Sequence, residues 1–575
     1  MKRLIYKTVA IALVALPLTG CLEEVDPMGY NDRVSKDQVS DAPGSYDNFV
    51  GSITTNLCGQ NLYTNFFGAS LTSYPYDFGY PGMLLLTEAA GNDFVPTGGN
   101  NPLQYWYTNS VGITAGYAIC QVPWTCFYIQ IKNCNEVLSL AGEEPEADKV
   151  TGAGIAHAMR AMYYMTLGQM YCQKPYTVDP QALTVPIVTE NTELSAADNN
   201  PRATQEVLFN TLILPDLDKA EGYLAGYSRS DKYTPDVSVV YGLKARAYLY
   251  MGQWALAEEY AKKAMAGYGM MSQDEYLDRE TGFNTPNGSW MFAGRFKSDD
   301  PTIIDNDADS SWGSLMVTDM EHHASSSCGY AANYGCPSTI DYHLYQTIPD
   351  TDFRKLLWVD FEAGLAAQSL KANSPTYAED CEALLGKYTD YPTWLQQLPN
   401  SNDYGIGGVS MKFRPNGGLA GRQNQYVGFL VSVPLMRVEE MKLIEAEAAG
   451  MQSEARGIAL LTAFAQTRDP QYVYGRHNEA YGNNATSAFQ NEVWWQRRVE
   501  LWGEGFSMFD VKRLQKGIIR SYAGSNHVSP YKWNLDQTPS WMTFMIGGTD
   551  PTYNIGIIQN PTPTSPTGDS PEHVW

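Results

Sequence analysis

"WWQRRVELWGEGFSMFDVKRL", Trp494 to Leu514, is the densest charged-and-aromatic passage of the chain, and its reading decides the fold. Arg497, Arg498, Glu500, Glu504 and Asp510 stand among Trp494, Trp495, Trp502, Phe506 and Phe509. Trp495, Val499 and Trp502 recur at i, i+4 and i+7, the stripe of an amphipathic helix that must bury one face. Arg497 is expected to reach Glu500 one turn on. Gly503 and Gly505 break the helix, and Ser507 with Asp510 three residues later has the spacing of a capping box, with Phe506 and Val511 as its staple. A glycosidase reading would need two carboxyls facing a cleft about 5–9 Å across. Glu500 and Glu504 instead share one helix end beside arginines, which favours ionisation of both over a divided acid and base. The stretch reads as a fastener between two helices.

Composition sets the class around it. The 575 residues are 44% apolar and 18% charged, a balance that fills a sizeable core. Lys+Arg 39 against Asp+Glu 63 gives a net charge of −24, which repels nucleic acid and anionic headgroups. "MKRLIYK" and the apolar run "TVAIALVALPL" form a signal segment too short to span a bilayer. It ends in Leu18-Thr19-Gly20-Cys21, which resembles a bacterial lipobox with Cys21 as the acylated first residue; residues 1–20 are then the signal and 21–45 the lipidated tether. Of the other cysteines, Cys328 and Cys336 in a Gly/Ser/Tyr-rich loop are the expected disulfide pair.

Helical periodicity governs 115–268 and 429–520. "WTCFYIQIKNCNEVL" (Trp124–Leu138) keeps Trp124, Tyr128, Ile131 and Asn135 on one face, placing Trp124 in the core. "LKARAYLYMGQWALAEEYAKKAM" (Leu243–Met265) sets Ala245, Tyr248, Gly252, Ala257, Ala261 and Ala264 near tetratricopeptide spacings, where small residues let paired helices approach. Between 269 and 428, Gly, Asn, Asp, Pro and Ser clusters dominate, and an insertion of that length in a compact fold is expected to carry function. The expected architecture is mostly α, a single domain over 46–575 with a helical-repeat scaffold and a loop-rich insertion.

"QRRVELWGEGFSMFDVKRL" is similar to the C-terminal signature of the SusD/RagB family of Bacteroidetes outer-membrane lipoproteins. "RVEEMKLIEAEA" (Arg437–Ala448), the hairpin above, "AMRAMYYMTLGQMY" (Ala158–Tyr171) and the Trp124 helix resemble its other motifs in order. Gln496 stands where the family usually has Glu, and Ser507 near a usual basic residue, which questions one ion pair within the fastener. Glu23 and Glu24 resemble the acidic tag that directs such lipoproteins to the outer face of the outer membrane. The resemblance implies a non-catalytic, cofactor-free capture protein that sits as a lid on a SusC-like TonB-dependent transporter barrel. Its implied cargo is an oligosaccharide, or a peptide. A secreted helical hydrolase is the competing class.

Sugar rings offer flat apolar faces, so exposed aromatics beside Asn and Asp mark candidate sites. The early loops give Tyr80, Asn92, Asp93, Tyr105, Trp106 and Tyr107; the insertion gives Trp312, Tyr330 and Tyr334, with Trp106 and Trp312 leading. "DNDADSS" sets Asp305, Asp307 and Asp309 at calcium-loop spacing, but lacks the glycine at the sixth position and has Met316 where the closing Glu should stand. Glu321, His322, His323 and His343 have no zinc spacing.

Overall fold

Two sets of long helices form the frame. In this computed structural model residues 44–67, 74–97, 101–109, 113–322, 328–334, 337–399 and 402–575 are described. Cys21, Cys336 and His323 lie outside them. The helices that organise the molecule are α1 (Tyr80–Ala89), α2 (Gln121–Ala141), α3 (Val150–Tyr171), α4 (Leu214–Tyr223), α5 (Val237–Met251), α6 (Trp254–Ala264), α7 (Val438–Gln452), α8 (Glu454–Ala465), α9 (Ala488–Glu500) and α10 (Ser507–Arg513). From Phe49 onward the chain is one compact unit. No helix among the described residues is long and apolar enough to cross a membrane.

Sequence explains the helix pairing. Asp236 caps α5 by accepting from the Ser238 and Val239 amides, and left-handed Gly252 ends it before α6 begins. Ala245, Ala257, Ala261 and Ala264 are fully buried where these helices meet. α2 packs on α3, α3 on α4, α5 on α6, and α7 touches α5, α6, α8 and α9. α7 is acidic yet buried: Glu439, Glu440 and Glu447 are each paired with an arginine from another element, Arg468, Arg246 and Arg513. Leu443, Ala446, Leu461, Phe464, Phe489 and Val493 form one apolar core between α7, α8 and α9.

The insertion between 269 and 428 is less irregular than its composition suggests, with short helices such as Phe361–Gln368 and Tyr377–Leu385. Four antiparallel two-stranded ribbons among the described residues tie the outer segments down: β1 (Phe94–Pro96) with β5 (Ser338–Ile340), β2 (Leu183–Pro186) with β3 (Arg202–Thr204), β4 (Trp290–Arg295) with β6 (Ser432–Arg437), and β7 (Ile518–Ile519) with β8 (Asn534–Leu535). Two of them bring remote loops side by side. β1–β5 joins the early loop to the insertion in the register Phe94↔Ile340, Val95↔Thr339, Pro96↔Ser338. β7–β8 closes the loop of residues 520–533 beside them.

Candidate functional site

The Trp494–Leu514 stretch is buried except at Phe506, Ser507, Phe509 and Arg513, which are half-buried, and its charges face inward in pairs. Trp495, Val499 and Trp502 are in the core as their spacing requires, but so are Val493 and Trp494, so α9 is a central helix rather than a one-faced surface helix. Glu500 meets Arg354, Arg437 and Arg468 at 3.1, 3.2 and 3.2 Å, and the Tyr276 hydroxyl donates to it at 3.1 Å. Burial alone would raise its pKa; the guanidiniums of Arg468, Arg437 and Arg354 outweigh that and hold it far below the usual carboxylate range. Glu504 pairs with Lys412 at 2.6 Å and Arg437 at 2.8 Å. Glu500, held ionised in this way, has no proton to give as the acid of a hydrolysis.

Two local expectations are corrected. Arg497 pairs with Asp510 of α10 at 2.6 Å, not with Glu500. Ser507 does not cap α10; its hydroxyl is buried without a partner. The cap comes from α1 instead: Glu88 accepts the amides of Gly505 at 2.6 Å and Phe506 at 2.8 Å. Burial pushes the Glu88 pKa up to about 7 even so. Gly505 has φ +91, and a Cβ there would lie 2.6 Å from Leu84 Cβ, so the turn needs glycine both for its backbone and for its contact with α1.

Most residues predicted to hold ligand are inside the fold. Trp106 is 3% exposed and sits edge-on to Tyr76 at 5.0 Å; Trp312 is 1% exposed and edge-on to Phe413 at 5.2 Å. Neither offers a face to a sugar. Tyr80 is buried with its hydroxyl 3.0 Å from Thr166 Oγ1. Asn92 Oδ1 accepts the Ile519 amide at 3.1 Å, and Asp93 takes Arg498 through two nitrogens, at 2.8 and 2.5 Å. The physical reason is common to all of them: the Gly/Pro/Asn-rich loops fold back over the scaffold, and rings that large are buried by whatever backbone covers them. Tyr105 and Tyr334 are each 47% exposed, and Tyr330 lies half-buried against Tyr334 at 5.2 Å. Asp305, Asp307 and Asp309 do not close a three-carboxylate cage; among the described residues no three His, Cys, Asp or Glu side chains are arranged to hold a metal.

One pocket unites the early loop and the insertion. It encloses about 360 Å³ and has three walls: Pro96, Thr97, Gln104 and Tyr107 from the end of β1 and the segment after it; Asn402, Asp403 and Tyr404 from the insertion; and Ser525, Asn526, His527, Val528, Ser529, Tyr531 and Lys532 from the loop between β7 and β8. Tyr404 is half-exposed, its ring stacked on Tyr342 at 5.1 Å and its hydroxyl donating to the Gly524 carbonyl. Tyr531, Lys532 and Gln104 are half-buried and Asp403 is exposed, so the rim mixes aromatic faces with an amide, an ammonium and a carboxylate.

The floor is a buried relay that fixes the walls to each other. Tyr107 O–H lies 2.8 Å from His527 Nδ1, His527 Nε2 lies 3.1 Å from Asp341, and Tyr522 O–H donates to the same Asp341 oxygen at 2.6 Å. Burial lowers the His527 pKa despite the Asp341 carboxylate, so the ring is neutral; Nε2–H then donates to Asp341 and Nδ1 accepts from Tyr107. Asn526 donates to the Ile340 carbonyl at 2.9 Å and accepts the Tyr342 amide at 2.9 Å, locking the C-terminal wall to β5. The relay holds a shape; its members are saturated by each other and are not left for chemistry.

The C-terminal wall was not among the loops singled out from sequence. The signal was present: "SNHVSPYKWN" combines Tyr531 and Trp533 with Asn526, Ser529 and Lys532, the same aromatic-polar mixture that marked the earlier loops. A larger groove of about 820 Å³ lies between α2 and residues 549–557, where the rings of Phe66, Phe67, Trp124, Tyr128 and Tyr553 stand among Gln121, Lys132, Glu193, Asn200, Asp550 and Asn554. It adjoins residues 68–73, which lie outside the described segments.

A helical frame with a ribbon-bound insertion and a pocket between early loop and insertion defines a fold shared with solved structures. A SusD-like carbohydrate binding protein from Bacteroides vulgatus is 21% identical with a TM-score of 0.64, covering 89% of this chain and 97% of that one. A SusD superfamily protein from Bacteroides thetaiotaomicron is 17% identical with a TM-score of 0.64, covering 92% and 100%. Surface glycan-binding protein A from Bacteroides thetaiotaomicron, solved with laminarihexaose, is 14% identical with a TM-score of 0.61, covering 90% and 99%. Residues 89–249 match the family model "SusD-like_3: Starch-binding associating with outer membrane". No curated protein matches the chain. The chain shares the fold of these SusD-like proteins.

Proposed function

We propose that this protein captures a glycan at the cell surface and hands it to a SusC-like TonB-dependent transporter, held to the outer membrane by acylated Cys21 and facing outward. The helix pairs α2–α3 and α5–α6 serve as tetratricopeptide hairpins that carry the binding loops. The observation that carries the reading is the pocket itself: a half-exposed Tyr404 ring beside Gln104, Asn402, Asp403 and Lys532 supplies an apolar platform and hydroxyl-reading groups in one cavity. Support from relatives is of the same kind, since one neighbour is named a laminarin-binding protein and another was solved with a glucan hexamer.

The test is a calorimetric titration of the mature protein with laminarihexaose, other neutral and host-type oligosaccharides, and mixed peptides. Tyr404→Ala is expected to weaken glycan binding about tenfold to a hundredfold, the loss of one buried ring face at about 1.5–3 kcal/mol. Tyr404→Phe keeps the ring and its stack on Tyr342 and should bind nearly as the native protein does. Heat with peptides alone would move the cargo to peptides, and release of sugar on long incubation would favour the hydrolase. Undiminished glycan affinity in Tyr404→Ala would remove this pocket from the binding site. Extraction in mild detergent should bring a large β-barrel down with the lipoprotein; its absence would count against the transporter partner.

A further inference from the structure

The C-terminal wall of the pocket is held from outside by a later segment of the chain. Two residue pairs, Ile518↔Leu535 and Ile519↔Asn534, close the loop of residues 520–533, and a ribbon that short does not fix such a loop by itself. The inner side of the loop is tied to β5 and the floor by Asn526 and His527. Its outer side carries Tyr531 and Lys532, the ring and the ammonium of the rim, and there residues 569–573 lie along it.

The contacts converge on Lys532 and its neighbours. Asp569 accepts the Ser529 hydroxyl at 2.7 Å through one oxygen and the Lys532 amide at 3.0 Å through the other. The Ser570 amide donates to the Lys532 carbonyl at 2.8 Å, and Ser570 Oγ accepts the Asn534 amide at 2.9 Å. Both backbone groups of Lys532 are therefore engaged by one segment. Ser521 Oγ donates to the Ser570 carbonyl at 2.7 Å, Asn534 Nδ2 to the Pro571 carbonyl at 2.9 Å, and the His573 amide to the Ser521 carbonyl at 2.8 Å. Trp575 is the anchor: it lies flat on the His343 imidazole with ring centres 3.4 Å apart, and edge-on to Tyr522 at 5.8 Å. Tyr522 is the residue whose hydroxyl reaches Asp341 in the floor.

This segment adds nothing to the core. Asp569 and residues 571–575 are exposed, and Ser570 is half-buried. The stretch before it, "PTPTSPT" (Pro561–Thr567), has a proline at every second or third position, which keeps it extended and leaves little freedom to lose when the segment docks. None of residues 569–575 lines the cavity. Their contacts are spent on the loop that does.

We propose that residues 569–575 are a positioning strap for glycan capture: Asp569 and Ser570 hold the Tyr531–Lys532 edge in place, and Trp575 fastens the strap beside the floor. The inference rests on the pocket being the capture site. A wall set before the ligand arrives spares binding the cost of ordering it, so the strap acts on affinity without touching the sugar.

The experiment compares the full mature protein with Asp569→Ala, Trp575→Ala, Trp575→Phe and the double variant Asp569→Ala/Trp575→Ala. Each is titrated with laminarihexaose by calorimetry, and amide hydrogen exchange is read without ligand. In the double variant the amides of residues 525–534 should exchange about tenfold faster or more, while those of α5 and α6 stay as in the native protein. Its affinity should fall about tenfold. Its Tm should stay within about 2 °C of native, since no core contact is lost. Trp575→Phe keeps a flat ring on His343 and should recover most of the affinity that Trp575→Ala loses, which general loosening of the fold would not allow. Wall amides as protected in the double variant as in the native protein overturn the strap, whatever the titration gives. Faster exchange with unchanged affinity overturns its part in capture. Tyr404→Ala then separates the two failures: weakened binding there leaves the pocket standing and the strap wrong, and undiminished binding removes the pocket itself.

Discussion

Glu500→Gln is expected to cost about 3–5 kcal/mol of stability, the usual loss when one partner is taken from a buried ionic cluster. Arg354, Arg437 and Arg468 are each 1% exposed or less and converge on this one carboxylate. They keep Asp352, Glu504 and Glu439, so the cluster survives with an excess of positive charge in a dry interior. For a chain of this size an entropy of unfolding near 2.1 cal/mol/K per residue converts that loss to a Tm lower by about 2.5–4 °C. The pH dependence has a definite sign. Glu500 has a folded pKa depressed below its ordinary value of 4.5, so its stabilisation is fully present above pH 4.5 and is lost as pH falls below it. The stability gap between native protein and Glu500→Gln should therefore be constant from pH 7 to 5, then shrink below pH 4.5 by about 1.4 kcal/mol, or about 1 °C in Tm, for each further unit. Calorimetric scans at pH 7, 5 and 3.5 read it directly. A gap that stays constant to pH 3.5 would mean that the charge of Glu500 is not what the arginines hold.

The scaffold was legible because its signals are local. Small residues at Ala245, Gly252, Ala257 and Ala261 and the i, i+4, i+7 stripe at Trp495, Val499 and Trp502 are facts about one helix or one hairpin. Partners were not legible in the same way. Arg497 satisfies Asp510 across a turn, and the cap of α10 is Glu88, more than four hundred residues upstream. Ligand residues were the hardest, since exposure of a loop aromatic depends on which remote segment covers it. Trp106 and Tyr105 are adjacent and share every compositional cue, yet one is 3% exposed and the other 47%. The helical phase of Gln104–Tyr107 turns one ring in and the other out. The pocket draws its walls from both the early loop and the insertion, with Tyr107 in its floor; Tyr404 and Tyr531 were not named because the rest of their surroundings arrives only with β1–β5 and β7–β8.

Asp93 decides between the two views of those early loops. Read from sequence it is a sugar contact, and Asp93→Ala would then lower affinity and leave stability alone. In the fold it is the counter-ion of Arg498, whose side chain is 4% exposed, and its backbone carbonyl also accepts the Trp502 indole N–H at 2.8 Å. Asp93→Ala is therefore expected to cost about 3–5 kcal/mol, leaving Arg498 buried with only the Tyr481 hydroxyl at 2.9 Å and more distant charge. Glycan affinity, measured well below the lowered Tm, should stay within about twofold of native, a difference of under 0.5 kcal/mol, because Asp93 is not in the pocket wall. A double-mutant cycle separates charge from shape. Adding Arg498→Met to Asp93→Leu removes both charges and should recover much of the loss, since an apolar replacement of a whole buried pair is often close to neutral. If Asp93→Ala instead unfolds like the native protein and fails to bind glycan, the loop carries the ligand after all, and the pocket behind Tyr404 is not the site of capture.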